Sequence, residues 1–192
     1  TRRNVRIAAR RGVVVEEDCR PETRDEFFRL FQETSRRDGF FMRPRAYIMG
    51  GWDALIRSHR GSVFVARHDG RMLAAMFACT FGTKFWYKDG ASSSIDRNLM
   101  STYALQWEVM RAMRARGIAT YDMVAVPDPE KLGDPSDSMH GLYRFKAGFG
   151  GTVTEFMREM VRFTRPRTAA LWYRLEPLTY RIYKRLLHDV YY

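Results

Sequence analysis

Residues 141–151, Gly-Leu-Tyr-Arg-Phe-Lys-Ala-Gly-Phe-Gly-Gly, set an arginine and a lysine among aromatic residues and close with three glycines in four positions. Such a segment can form a short helix and then turn sharply, because Gly148, Gly150 and Gly151 tolerate backbone angles that other residues avoid. It would present Lys146 and Arg144 beside flat apolar walls. A cation held in a partly dry site stabilises developing negative charge far better than one in water. The same spacing also fits an ordinary helix end with Tyr143, Phe145 and Phe149 in the core. Spacing alone leaves both readings open.

Other side chains narrow the chemistry. His59, His68, His140 and His188 form no cluster, and Cys19 and Cys79 are far apart, so no metal-ligand spacing is present. No Ser/His/Asp or Cys/His pattern suggests an enzyme nucleophile. Tyr87 and Tyr103 could position an attacking amine or be core aromatics with satisfied hydroxyls. Asp122, at the end of an apolar run, could accept a proton or merely cap a loop.

The elements that must position these groups are readable from hydrophobic periodicity. Residues 2–11 carry five arginines in a short helical lead-in, and Val13–Val15 reads as a first strand ended by acidic residues. Thr23 is expected to cap a helix over 24–37, with Glu26 completing a capping box and Gly39 stopping it. Pro44 opens a second helix over 45–58. Strands are expected at Ser62–His68, which ends at the hairpin signal Asp69-Gly70, at Arg71–Phe81, and at Lys84–Lys88. After a serine-rich loop at 92–94, whose hydroxyls are expected to cap it, a long helix covers Leu99–Arg116. A buried strand covers Ile118–Val126. A polar loop with three prolines, 127–139, leads to the glycine-rich motif. A strand over Thr152–Phe163 follows, then helix over 168–190 interrupted at Pro177. In that last helix Leu171, Leu175, Leu178 and Ile182 lie with Arg174, Arg181 and Arg185. The face could rest on a membrane surface or pack against its own domain.

Composition sets bounds. At 192 residues and 45% hydrophobic the chain can bury roughly 70% of its unfolded surface as one domain, without disulfide or metal staples. Two separated cysteines suit a reducing, cytoplasmic setting. No apolar run approaches the roughly 20 residues needed to span a bilayer, and no secretory signal is present. Of 33 basic residues only five are lysines, so 33 − 5 = 28 are arginines, and the net charge is +11. Such a chain favours polyanions, because arginine makes bidentate contacts to phosphates, although base bias in a genome also enriches arginine. The chain starts at Thr1 without an initiator Met and reads as a fragment of something longer.

This element order resembles the GNAT acyltransferase fold, an α/β (α+β) arrangement with a mixed, mostly antiparallel sheet flanked by helices. On that reading residues 1–165 form the GNAT-like domain and 166–192 a C-terminal helical extension. Coenzyme A-dependent members hold pyrophosphate on a glycine-rich loop before the long helix. Here that position reads Ala91-Ser92-Ser93-Ser94-Ile95-Asp96-Arg97-Asn98, without the required spacing, so coenzyme A is not expected as donor and no cofactor is implied.

Several motifs, in order, resemble the FemABX family of tRNA-dependent peptidyltransferases. They are Arg37–Pro44, Gly90–Ser93, Arg97–Met100, Gln106-Trp107-Glu108, Gly117 to Tyr121-Asp122, Pro127-Asp128-Pro129 and Gly141–Gly151. The resemblance covers about residues 2–165 and matches the second of the family's two GNAT-like halves; the missing first half is its main departure. It implies transfer of an amino acid from aminoacyl-tRNA to the stem-peptide amine of a nucleotide- or lipid-linked peptidoglycan precursor. Lys146 matches the family's catalytic lysine. Phe145, beside it, would contact the end of the tRNA or the amino acid, with Arg144, Tyr87 and Tyr103 also lining the substrate. Arg43 would meet the precursor's phosphates, with Arg45 as its competitor. Two further readings stay open: another acceptor, such as a peptide antibiotic or a protein N-terminus, and a non-catalytic RNA- or phospho-ligand-binding half-domain.

Overall fold

The computed structural model describes residues 1–157 and 160–187. Five strands form one sheet in the order β1 (Val14–Glu17), β2 (Gly61–His68), β3 (Arg71–Phe81), β4 (Lys84–Ser92) and β5 (Thr120–Asp122). The first four are antiparallel to their neighbours, and β5 runs parallel to β4. Helices α2 (Pro21–Asp38) and α3 (Arg45–Arg57) cover one face; α4 (Ser101–Ala115) covers the other, with α1 (Arg2–Arg10) against it. A short α5 (His140–Ala147) and a long α6 (Pro166–Leu187) complete the chain. This is the expected α/β architecture.

Two apolar cores follow from strand alternation. On the α2/α3 face Val63, Val65, Ala75 and Phe77 meet Trp52, which stacks between Phe27 (4.5 Å) and Phe77 (5.4 Å). The indole N–H of Trp52 donates to Asp89 at 2.7 Å, so the one polar atom of this ring is satisfied. On the α4 face Phe64, Ala74, Met76 and Phe85 meet Leu105, Val109 and Met113. The β2–β3 turn at Asp69-Gly70 has both residues at positive φ, as a tight hairpin of this type requires. One bulge interrupts β3–β4: Phe77 pairs with Asp89 and Ala78 with Tyr87, so Lys88 has no partner across the ladder.

Several elements differ from their sequence expectation. β1 runs through Glu16 and Glu17, because Arg67 pairs with Glu16 and Arg116 with Glu17 along this edge. Thr23 does not cap α2: the helix starts at Pro21 with extended Arg20 before it, and the Thr23 hydroxyl donates instead to Asp18 at 2.6 Å. Ser92–Ser94 do not cap α4 either. Ser92 ends β4, a 3-10 turn at Arg97–Leu99 intervenes, and α4 begins after Met100 in a left-handed conformation. The buried strand expected over Ile118–Val126 is only three residues long, and its Thr120 is exposed. No strand forms among the described residues of Thr152–Phe163; positions 158 and 159 lie outside them. The last helix runs unbroken through Pro177, and residues 188–190 of the expected span also lie outside the described residues. Its leucine face is exposed rather than packed on the domain.

Candidate active site

β5 accompanies β4 only from Lys84↔Thr120 to Trp86↔Asp122, and the two strands then part. The departure is built into the backbone: Val124 sits at φ 61, a left-handed conformation that a β-branched residue rarely adopts, with its N–H held by the Asp122 carboxylate at 2.8 Å. The same carboxylate pairs with Lys84 at 2.8 Å. Burial pushes the Asp122 carboxyl up, but the Lys84 ammonium and the Val124 N–H outweigh it and hold the group below the usual carboxylate range. An ion-paired, low-pKa carboxylate is a poor proton acceptor, so its place here is that of an anchor for the parted strand.

α5 delivers Lys146 to this opening. The lysine is only 6% exposed, and its Nζ donates to the Ala125 carbonyl at 2.5 Å, just beyond the turn that Val124 makes. Burial pulls the ammonium down to about 8, a shift that the nearby Asp122 charge opposes. Near neutral pH the group is therefore mostly charged, partly desolvated, and has two further N–H donors to offer. Phe145, half-buried, makes an edge contact with Tyr103 (4.9 Å) and with Phe149 (5.4 Å); Tyr103 also stacks near Phe149 (6.0 Å). Tyr103, at the start of α4, thus packs against the α5 residue next to Lys146 in the chain. Arg144 points from the exposed side of the same helix.

The glycines of the motif do different work. Gly150 takes the expected left-handed turn at φ 84, whereas Gly148 is helical, at φ −60. Gly148 is needed for close approach: a Cβ there would collide with the Thr1 hydroxyl, because the start of α1 lies against the end of α5. From that junction Arg3, Arg6 and Arg10 run along one face of α1 with no ion-pair partner among the described residues.

Tyr87 lies on the α4 side of β4 with its phenol folded back over Gly90, where any Cβ would collide with it. Burial first, and then the Asp89 charge, push the hydroxyl up to about 12, so it stays protonated. Deeper in, Tyr121 stacks on Phe85 at 4.0 Å and donates to the side-chain carbonyl of buried Gln106; burial raises its hydroxyl far above the ordinary range.

Arg43 and Arg45 stand apart from this cluster. Arg43 stacks on Tyr47 at 4.8 Å and lines a groove of about 520 Å³ with Phe31, Phe41, Met42, Lys88 and Asp89; no α5 residue contributes to it. Arg45 pairs with Asp25 at 2.5 Å and packs over Phe28, outside the groove. Two residues escaped the sequence reading. Lys84 is 38 positions before Asp122, and Lys88 is a bulge residue, so neither has a short-range spacing signal. Cys79 is not an overlooked nucleophile, since burial pushes its thiol up to about 11.

The sequence and the fold both have counterparts among known proteins. An alanyltransferase from Weissella viridescens, UDP-N-acetylmuramoylpentapeptide-lysine N(6)-alanyltransferase, is 27% identical over 150 residues, which is 78% of this chain and 42% of that protein. The lipid II:glycine glycyltransferase of Staphylococcus aureus is 33% identical over 109 residues, 56% of this chain and 23% of its own length. The chain therefore spans less than half the length of these curated relatives, and they bear out the resemblance to the FemABX family. A crystal structure of FemX superposes with a TM-score of 0.68 at 21% identity, covering 76% of this chain and 52% of that one, which speaks for the fold. The model of the acetyltransferase (GNAT) domain matches residues 1–147, more than half of the sequence. On that match the chain belongs to the acetyltransferase (GNAT) domain family.

Proposed function

We propose that this chain is the acyl-transferring half of an aminoacyltransferase that moves an amino acid from aminoacyl-tRNA to the stem-peptide amine of a peptidoglycan precursor. The observation that carries the reading is a desolvated ammonium, Lys146, held by one backbone carbonyl where β4 and β5 part, on the short helix whose Phe145 packs against Tyr103. The relatives that are named for alanyl and glycyl transfer give it the substrate class.

The chemistry needs no enzyme nucleophile. The acceptor amine attacks the ester carbonyl carbon, a C–N bond forms, and the C–O bond to the terminal ribose breaks. The amine loses a proton and the ribose oxygen gains one. Negative charge develops first on the carbonyl oxygen and then on the departing ribose oxygen. Lys146 can donate to either through the two N–H groups that Ala125 leaves free. Arg43 and Lys88 would hold the precursor's phosphates in the groove on the other side of β4. Tyr87 and Tyr103 would border the donor, with Arg144 outside it.

Coenzyme A does not fit the residues that would have to hold it. Three consecutive N–H groups of the 91–98 loop are already engaged: Ser93 donates to the Leu73 carbonyl (2.8 Å), Ser94 to Glu33 (3.0 Å) and Ile95 to the Ser93 hydroxyl (3.1 Å). That supports a donor other than an acyl-coenzyme A. Calorimetry should detect no acetyl-CoA binding at micromolar concentration. The reading as a whole is tested by turnover: radiolabelled aminoacyl-tRNA and precursor are incubated with the protein, and label should move to the precursor. Absence of transfer to every peptidoglycan precursor, with transfer to another amine, would move the proposal to a different acceptor.

A further inference from the structure

α6 carries two stripes that do not match its packing. At 100° per residue Leu171, Leu175, Leu178 and Ile182 fall within about 60° of arc, and Arg167, Arg174, Arg181 and Arg185 within about 40° directly beside them. The leucine stripe is the most apolar surface of the helix and should be the face that docks on the domain. That face is left uncovered. The half-buried positions of the helix, Ala169, Glu176, Thr179 and Tyr180, all lie off the leucine stripe, and Tyr173 meets Phe163 at 5.6 Å. Leu171 (59% exposed), Leu175 (45%), Leu178 (57%) and Ile182 (48%) are open to solvent, and the four arginines are exposed too. Glu176 is the one acidic residue in α6, and it lies off the arginine stripe.

We infer that α6 lies flat on an anionic lipid surface. An apolar stripe flanked by cations and almost no acids fits the boundary between headgroups and acyl chains. The leucines and Ile182 would sink to the acyl level while the four guanidiniums stay among lipid phosphates. A second copy of this chain is the poorer occupant, since self-association would place two like-charged arginine stripes close together. No helix among the described residues is long and apolar enough to cross a membrane, so the contact would be peripheral. Resting on the function proposed above, the inference also selects the acceptor: a precursor carried by a lipid in that same surface, rather than a nucleotide-linked one free in solution.

The test is sedimentation of the whole protein with vesicles of phosphatidylglycerol in phosphatidylcholine, against vesicles of phosphatidylcholine alone. Binding should be strong on the anionic vesicles, weak on the neutral ones, and should fall with salt. Arg174→Gln with Arg181→Gln should weaken it by about fivefold per arginine, and Leu175→Ser with Leu178→Ser by about tenfold or more. All four positions are exposed, so the fold is spared, and circular dichroism checks this. Binding that is unchanged in both variants, or absent on anionic vesicles, overturns the inference. So does an oligomer in analytical ultracentrifugation that the leucine variant dissolves, since that makes a second copy the occupant. Loss of tRNA binding in the arginine variant, with vesicle binding intact, assigns the stripe to RNA and overturns it too. Transfer assays separate this inference from the function it rests on. The α6 variants should lose transfer to a vesicle-borne acceptor and keep transfer to a soluble one. If wild type transfers to neither but still binds vesicles through α6, the lipid contact stands and the proposed function falls.

Discussion

Replacing Lys146 with methionine separates what the ammonium does for the reaction from what its burial costs the fold. The ammonium is pulled from an ordinary value of 10.5 to about 8 by burial, with Asp122 opposing the shift. A gap of about 2.5 corresponds to about 3 kcal/mol. Because the folded value is the lower one, the unfolded chain binds more protons between pH 8 and 10.5, and stability rises with pH across that window. Below pH 8 the full cost of the buried charge is present. Methionine removes that cost but leaves the Ala125 carbonyl without its donor, a loss of about 1–3 kcal/mol. The two nearly cancel. Lys146→Met should therefore unfold within about 1 kcal/mol of wild type at pH 7 and lose the rise in stability above pH 8. The maximal transfer rate, in contrast, should drop about 100- to 1000-fold with little change in substrate KM, since the donor acts on charge that exists only in the transition state. The ratio of the wild-type to the methionine-variant rate, which cancels titration of the acceptor amine, should decline as pH rises through about 8, where the ammonium titrates. Urea unfolding between pH 7 and 10.5, beside steady-state kinetics with aminoacyl-tRNA and precursor, measures both. A folded methionine variant with the wild-type rate would refute the oxyanion role. A ratio of wild-type to methionine-variant rate that climbs through pH 8 would refute it too, because that would make the neutral lysine the working form.

Three other outcomes are expected. Arg43→Ala should raise the KM for the precursor and change kcat little, because a phosphate held by Arg43 is held before and during reaction; an unchanged KM would remove Arg43 from the groove's function. Substituting Arg3, Arg6 and Arg10 together with glutamine should lower the salt dependence of tRNA binding by about one unit of log–log slope for each phosphate that is no longer neutralised, read by filter binding over a salt series; an unchanged slope means RNA does not follow α1. Tyr121→Phe leaves the carbonyl of Gln106, a residue only 2% exposed, without its hydroxyl donor and should cost about 1–3 kcal/mol in thermal or urea unfolding. A neutral result there would mean that water reaches Gln106.

How much was legible depended on whether the signal was local. The hairpin at Asp69-Gly70 and the apolar strands around it were readable because two-residue turns and buried strands are set by their own residues. The helix bearing Lys146 was readable as well, from its glycine stop. Long-range partners decided the rest. Thr23 looks like a cap until Asp18 takes its hydroxyl, and β1 continues through two glutamates because Arg67 on β2 and Arg116 just after α4 pair with them. The segment 152–163 has the residues of a strand but no ladder beside it among the described residues, and a strand needs its partner. Arg43 and Arg45 are nearly indistinguishable in sequence, and what separates them is Asp25, twenty positions upstream of Arg45. The burial of Lys146 has no local signature at all, since it depends on the path the chain takes after Asp122.

The bulge at Lys88 makes β4 two half-strands in opposite phase. Before it, Phe85 and Tyr87 address α4; after it, Asp89 and Ala91 address Trp52 and the α2/α3 core. One inserted residue thus lets a single strand furnish a wall to the cleft near α4 and a floor to the groove near Arg43, with only Lys88 between Tyr87 and Asp89. The bulge therefore acts like a phase switch. Regular pairing straight through Lys88 would turn Asp89 and Ala91 into the apolar α4 core and exchange inside for outside over half the strand. Deleting Lys88 would instead remove the bulge and keep both faces, because Tyr87 and Asp89 would then be consecutive residues on opposite sides of the sheet.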